Sequence, residues 1–300
     1  MSQSNETHQT TAGPDRRDFF RNALAACLAG SFAGANALGF DGAGQLPQDK
    51  ATTPPRTDLH AEHMQWPAGW IGSEEIVLVL YPGFTALDLF GPHHMFILMM
   101  GAKVHLAAAT LDPVRTDSGI AITPTITFEK CPKKPTVLFV PGGMDGTLKA
   151  AADPVTRGFV AETGARANWV TSVCTGSILL GAAGLLRGYK ATSHWIARDL
   201  LSDFGAIPVD ERVVVDRNRM TGAGVTSGLD LGLQLVRDLR TKQYAESVQL
   251  FAEYDPKPPL DSGTRAKADP QVVALLSQMH EPFRDLVRKL AADQKVKQPK

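Results

Sequence analysis

The chain is 300 residues long and carries 31 Lys and Arg against 31 Asp and Glu, a formal net charge of +0. That balance excludes the electrostatic footprint of a nucleic-acid-binding protein. Its three cysteines, one of them the N-terminal Cys27, exclude a disulfide framework and leave Cys131 with Cys174 as the pair that could bridge.

The first element in chain order is a targeting segment. Arg16-Arg17-Asp18-Phe19-Phe20-Arg21 is a twin-arginine pattern, followed by a mostly small and apolar run from Asn22 to Phe40 that contains Ala35-Asn36-Ala37 as a small-x-small cleavage site. The order predicts a signal peptide over residues 1–37, with the twin-arginine translocase as a transient partner and the periplasm as destination. Leu24-Ala25-Ala26-Cys27 offers the alternative of a lipid anchor at Cys27, although the spacing from Arg21 is below the ~7 to 15 residues of an apolar region. Residues 38–74, with their Pro, His and Gln, read as a linker.

Beyond it, short apolar runs alternate with helical patterns. Strands are predicted at Ile76 to Tyr81, Lys103 to Ala108, Val137 to Val140, Trp169 to Val173 and, more weakly, Arg212 to Val215. Helices are predicted from Thr85 to about Met100, and at Pro154 to Thr163, Ser177 to Leu186, Ile196 to Phe204 and Leu229 to Arg240. The Pro-, Asp- and Gly-rich Tyr254 to Lys267 should be irregular, and a last helix, Gln271 to Ala292, should pack on the outside. The fold class is therefore α/β, with a mainly parallel sheet covered on both faces and ligand sites at the carboxyl ends of strands.

Chemistry concentrates in the turns at those strand ends. In Thr171-Ser172-Val173-Cys174-Thr175-Gly176 a cysteine sits where strand gives way to helix, and unpaired amides there favour a thiolate. Cys174 reads as a nucleophile with a lowered pKa; the plainer reading is a small buried residue closing a strand. Asp88, between Leu87 and Leu89, is either an exposed helix position or a carboxyl desolvated enough to stay protonated and act as an acid. Val140-Pro141-Gly142-Gly143 lets backbone amides approach a substrate. His194 beside Trp195 is a core histidine or a base. His60 and His63 lack a third ligand and His93-His94 diverge on a helix, so no metal site is expected. Thr221 to Gly228 fits neither a P-loop nor Gly-x-Gly-x-x-Gly, and a tight strand-to-helix turn explains it.

Together, Asp88-Leu89-Phe90-Gly91-Pro92, Val140-Pro141-Gly142-Gly143, Ser172-Val173-Cys174-Thr175-Gly176-Ser177 with Leu180 to Leu186, and Ala191-Thr192-Ser193-His194-Trp195 resemble the ThiJ/PfpI superfamily, and within it the bacterial isonitrile hydratase branch. The resemblance covers residues 75–263 and leaves 264–300 as a tail with a helix. It implies a flavodoxin-like three-layer α/β sandwich, a homodimer and a strained cysteine elbow. It places the catalytic residues on Cys174, Asp88 and Thr175, and oxyanion-type amides on Gly143 and Thr175, with His194 lining the pocket. The implied reaction is hydration of a small isonitrile to an N-substituted formamide through a cysteine thioimidate, without a cofactor. A cysteine-based redox or stress sensor, or a glyoxalase or deglycase, is the alternative. Thr175 and Asp88, where protease-like branches carry histidine and glutamate, disfavour peptidase chemistry. A fused AraC-type DNA-binding region is not expected, since one further helix leaves no room for two helix-turn-helix units.

Overall fold

The computed structural model describes residues 66–297. The signal peptide, Cys27, His60, His63 and most of the linker lie outside the described residues.

The elements in order are β1 (Glu75–Val79), α1 (Ala86–Ile97), β2 (Lys103–Ala108), β3 (Val114–Arg115), β4 (Ala121–Ile122), β5 (Ile126–Thr127) and β6 (Val137–Val140). Then follow α2 (Asp145–Ala152), α3 (Pro154–Gly164), β7 (Trp169–Val173), α4 (Gly176–Ala182), β8 (Lys190–Ala191) and β9 (Ile207–Pro208). The described chain closes with β10 (Val213–Asp216), β11 (Arg219–Gly222), α5 (Ser227–Leu239), α6 (Lys242–Phe251) and α7 (Pro270–Lys297). One sheet runs β10-β11-β7-β6-β1-β2-β5, parallel throughout except for the β10–β11 hairpin at its edge.

Burial on both faces explains why the strands read as continuous apolar runs: Ile76 to Val79 and Val137 to Val140 are all 0 % exposed. The layering follows from the pleat. Phe139 meets Phe96 of α1 edge-to-face, with ring centroids 6.5 Å apart. Its neighbour Leu138 lies against Gly164 of α3. Successive strand residues point to opposite faces, so α1 and α3 cover opposite sides of one sheet. On the α1 side, α5 packs tightly enough that a Cβ on Gly228 would stand 2.9 Å from Pro92 Cδ. The result is the flavodoxin-like three-layer sandwich, with β6 at the centre of its sheet and β1 and β7 on either side. The registers Ile76↔Val137, Val140↔Ser172 and Ser172↔Thr221 bring the carboxyl ends of β1, β6, β7 and β11 side by side.

Several expectations need correction. No helix spans Ile196 to Phe204; a turn leads instead into a 3-10 helix at Asp199–Phe204. The cause lies in α7, where Arg284 donates to the Ile196 carbonyl at 2.5 Å and forms a two-pronged ion pair with Asp199. That carbonyl is thereby drawn out of a helical ladder. The helix expected to reach Leu186 ends at Ala182, and Gly184 adopts φ +76 in the turn that follows. Strand β11 and helices α2 and α6 were not foreseen. The strand Arg219–Gly222 is short and ends in glycine, which hides a wholly buried strand one place in from the sheet edge. Cys131 and Cys174 are both free thiols, so the possible bridge is not made. Tyr254 to Lys267 carries no helix or strand, as its composition indicates. Helix α7 starts at Pro270 and buries Phe283, Val287 and Ala291 along one face.

Candidate active site

The site is built from the loops after β1, β6, β7 and β11. Cys174, directly after β7, adopts φ +57, a left-handed conformation that a non-glycine residue holds only when its surroundings enforce it. They do. Its amide donates to the carbonyls of Gly222 and Ala223 at 3.2 and 2.7 Å, and its carbonyl accepts from the hydroxyls of Ser177 and Ser193 at 3.1 and 2.9 Å. The elbow is thus pinned from β11, from α4 and from the segment after β8.

Asp88, in the first turn of α1, is fully buried. Its Oδ2 accepts from the Gly142 amide at 2.8 Å, and its carboxyl faces the Cys174 thiol. Oδ1 has no protein partner. Burial raises the carboxyl from its ordinary 3.8 to about 7, against the lowering effect of the Gly142 amide and the Cys174 thiol. The carboxyl is desolvated, as its apolar neighbours indicate, and poised at neutrality rather than locked in either state.

The thiol departs from expectation. Burial first, then the Asp88 charge, push Cys174 well above its ordinary value, and the Thr175 amide offsets this only in part. Helix α4 is short and its first turn is wholly buried, so loss of water outweighs the helix-start contribution. The thiol is thus held protonated, beside a carboxyl that is itself poised near neutrality. Burial likewise raises Cys131, to about 11.

Gly142 packs its backbone directly against the Cys174–Asp88 pair. A Cβ there would meet Asp88 Oδ2 and the Thr175 amide nitrogen at 2.7 Å each and Cys174 Cβ at 2.9 Å. The Gly143 amide, expected to face substrate, donates instead to Thr175 Oγ1 at 3.1 Å, and the Met144 amide donates to the same oxygen at 3.2 Å. Thr175 is fully buried, and its hydroxyl exchanges a hydrogen bond with Thr147 of α2 at 2.9 Å. The structure therefore brings Cys174, Asp88, Thr175 and Gly143 into one cluster. His194 lies against Gly224 in the loop after β11 and near His280 of α7. Burial, reinforced by His280, lowers it from 6.5 to about 4, so it is neutral at physiological pH. Among the described residues no group of three or more His, Cys, Asp or Glu could hold a metal ion.

Sequence reasoning missed Tyr81, Thr147 and Ser193. Tyr81 was read only as the last residue of an apolar strand, and a threonine inside an unforeseen helix carries no signal of its own.

A parallel α/β sheet with a positive-φ cysteine at the end of a central strand, contacted by a buried carboxyl, defines a cysteine-elbow protein. Residues 74–238 match the DJ-1/PfpI family, and the chain belongs to it. It is 45% identical over 199 residues to an isonitrile hydratase of Pseudomonas putida, an alignment covering 66% of this chain and 86% of that protein. It resembles the crystal structure of a ThiJ/PfpI family protein from Pseudomonas syringae with a TM-score of 0.74 and 52% identity, over 78% of this chain and 99% of that one. A glutathione-independent glyoxalase, DJR-1.2 of Caenorhabditis elegans, is more distant, at 24% identity over 149 residues, 49% of this chain and 79% of that protein.

Proposed function

We propose that this chain adds water across the terminal carbon of an isonitrile, giving an N-substituted formamide, with Cys174 as nucleophile and Asp88 as proton carrier. The observation that carries the reading is the Cys174 thiol, on its positive-φ elbow, facing a buried carboxyl poised near 7 that keeps one oxygen unpartnered. The 45% identity to an isonitrile hydratase supports the substrate class.

In the first half-reaction the sulfur attacks the carbon of R–N≡C while the S–H bond breaks toward Asp88. The carboxyl delivers that proton to the same carbon, so one C–S and one C–H bond form and the product is the thioimidate R–N=CH–S–Cys174. A carboxyl poised near 7 suits both tasks, because it accepts and releases a proton at little cost. In the second half, water attacks the carbon as Asp88 passes one of its protons to nitrogen. The C–S bond of the resulting R–NH–CH(OH)–S–Cys174 then breaks, the hydroxyl proton returns to sulfur, and R–NH–CHO leaves. No electrons are gained or lost. The Thr175 amide, which lowers the thiol, steadies the negative charge on sulfur as it leaves.

The test is multiple turnover of isonitriles by purified protein with reductant present, with Cys174→Ser as the blank. The expected result is stoichiometric formamide from the wild type and none from the variant. Turnover of 2-oxoaldehydes alone, or peroxide conversion of Cys174 to a stable oxidised form with no isonitrile turnover, would replace this reading with a glyoxalase or a sensor. The homodimer and the twin-arginine export that the sequence suggests are part of the same proposal, checked by sedimentation and by the leader variant described below.

A further inference from the structure

The hydrogen bonds around Thr175 have one direction, and they lead back to Asp88. Tyr81 Oη lies 2.5 Å from the Pro141 carbonyl, which can only accept, so the single phenol proton is committed there. Thr147 Oγ1, 3.1 Å from Tyr81 Oη, must then donate to it. Thr175 Oγ1, 2.9 Å from Thr147, must in turn donate to Thr147, while its lone pairs accept the amides of Gly143 and Met144. The Pro141 carbonyl and the Gly142 amide are two ends of one trans peptide, and that amide donates to Asp88 Oδ2 at 2.8 Å. The chain thus runs Thr175, Thr147, Tyr81, the Pro141–Gly142 peptide, Asp88 and finally the Cys174 thiol.

We propose that Tyr81 and Thr147 are positioning residues of the reaction: through the Pro141–Gly142 peptide they fix and polarise the amide on Asp88, and the Thr175 hydroxyl, unlike its amide, acts through them rather than at the reacting atoms. Two further observations favour this. All three side chains are 0–1 % exposed, so no water competes for the chain. Met144 is held at φ +44, a conformation disfavoured for methionine, and its amide is one of the two pinned to Thr175. Hydrogen bonds in series strengthen one another in a low dielectric, and the last member of this series is ionisable. The titratable groups that face Asp88 are Cys174 from the elbow, Tyr81 from the end of β1 and Asp117 from the loop between β3 and β4.

The inference rests on the proposed roles of Cys174 and Asp88, but its test does not require an isonitrile. The rate of Cys174 alkylation by iodoacetamide against pH reports the two ionisations of the thiol–carboxyl pair. Tyr81→Phe removes the donor to Pro141 and weakens the Gly142 amide, so the lower inflection should move up by about 0.5 pH unit. Its kcat on an isonitrile should fall about 10-fold with KM within about twofold, the pattern of an interaction made in the transition state. Thr147→Val should displace the same inflection, and Thr147→Ser, which keeps the hydroxyl, should restore it. Should Tyr81→Phe fail to fold, the Thr147 pair decides. An unmoved alkylation profile in folded Tyr81→Phe, or in Thr147→Val, overturns the proposal while leaving the hydratase reading in place. A displaced profile in an enzyme that turns over no isonitrile sinks the hydratase reading and keeps the relay.

Discussion

At Asp88 reactivity and stability pull in opposite directions. Its folded pKa, about 7, exceeds the ordinary 3.8, so the folded state binds more protons between those values and stability falls as pH rises through that window. Asp88→Asn removes the charge and should be more stable than the wild type at pH 8 by about 1–4 kcal/mol, with the gap closing below pH 4, as urea melts at both pH values would show. The same variant should lose about 100- to 10,000-fold in turnover, since the transferable proton is gone. Gly142→Ala should also silence the site, because the added methyl would occupy the space between Asp88, Thr175 and Cys174; a loss below ~10-fold in isonitrile turnover would contradict that placement. These residues were legible because turn chemistry leaves marks: glycines after a strand, a cysteine before a helix, a carboxyl among leucines. The thiol's raised pKa was not, since the helix start was visible in the sequence and the depth of its burial was not. Tyr81 and Thr147 were illegible for a related reason, as a hydroxyl's partners 60 and 28 residues away are set by the folded sheet alone.

Among the elements, α7 and the segment from His194 to Asp199 behave as a unit. From α7, Arg284 ties the Ile196 carbonyl and Asp199 and His280 lies near His194; from the loop before it, Arg265 lies over Trp195 with its guanidinium carbon 5.5 Å from the ring centroid. His194 is held neutral, with its pKa at about 4 against 6.5, so the unfolded state binds more protons between those values and stability is lost as pH falls through them. His194→Gln should flatten that acid limb, measured as Tm between pH 6.5 and 4. An unchanged slope would show that the limb belongs to other groups. Ser193, the next residue back, pins the elbow carbonyl. Ser193→Ala should cost about 1 kcal/mol of stability and lower kcat, as an elbow freed on one side relaxes from its left-handed φ. The strand–helix alternation was readable from apolar runs. The 3-10 helix at Asp199–Phe204 was not, because the residue that withdraws its carbonyl lies 88 positions later in the chain.

At the scale of the whole molecule the two ends of the family segment are clasped together. Arg240, at the end of α5, is paired with Glu74 just before β1, with side chains only 2 % and 13 % exposed. It also donates to the carbonyls of Trp70 and Met100. Breaking a buried pair strands the remaining charge, so Arg240→Ala should destabilise the fold by about 3–5 kcal/mol in urea melts. Export is tested separately: replacing Arg16 and Arg17 together with Lys should hold the precursor in the cytoplasm, and unchanged periplasmic delivery would refute the leader assignment.

That clasp also decides how the protein bears load. A pull on the chain N-terminal to Trp66 enters at Trp70 and Glu74 and continues into β1. There it meets a strand bonded on both sides to parallel neighbours, β2 and β6. Drawing β1 out lengthwise must shear both ladders at once rather than open them bond by bond. Arg240 spreads the first part of that tension into α5. Arg240→Ala should therefore unfold at lower force when the chain is stretched from its N-terminus in an optical trap, by more than its equilibrium destabilisation accounts for, because forced unfolding is governed by the unfolding rate.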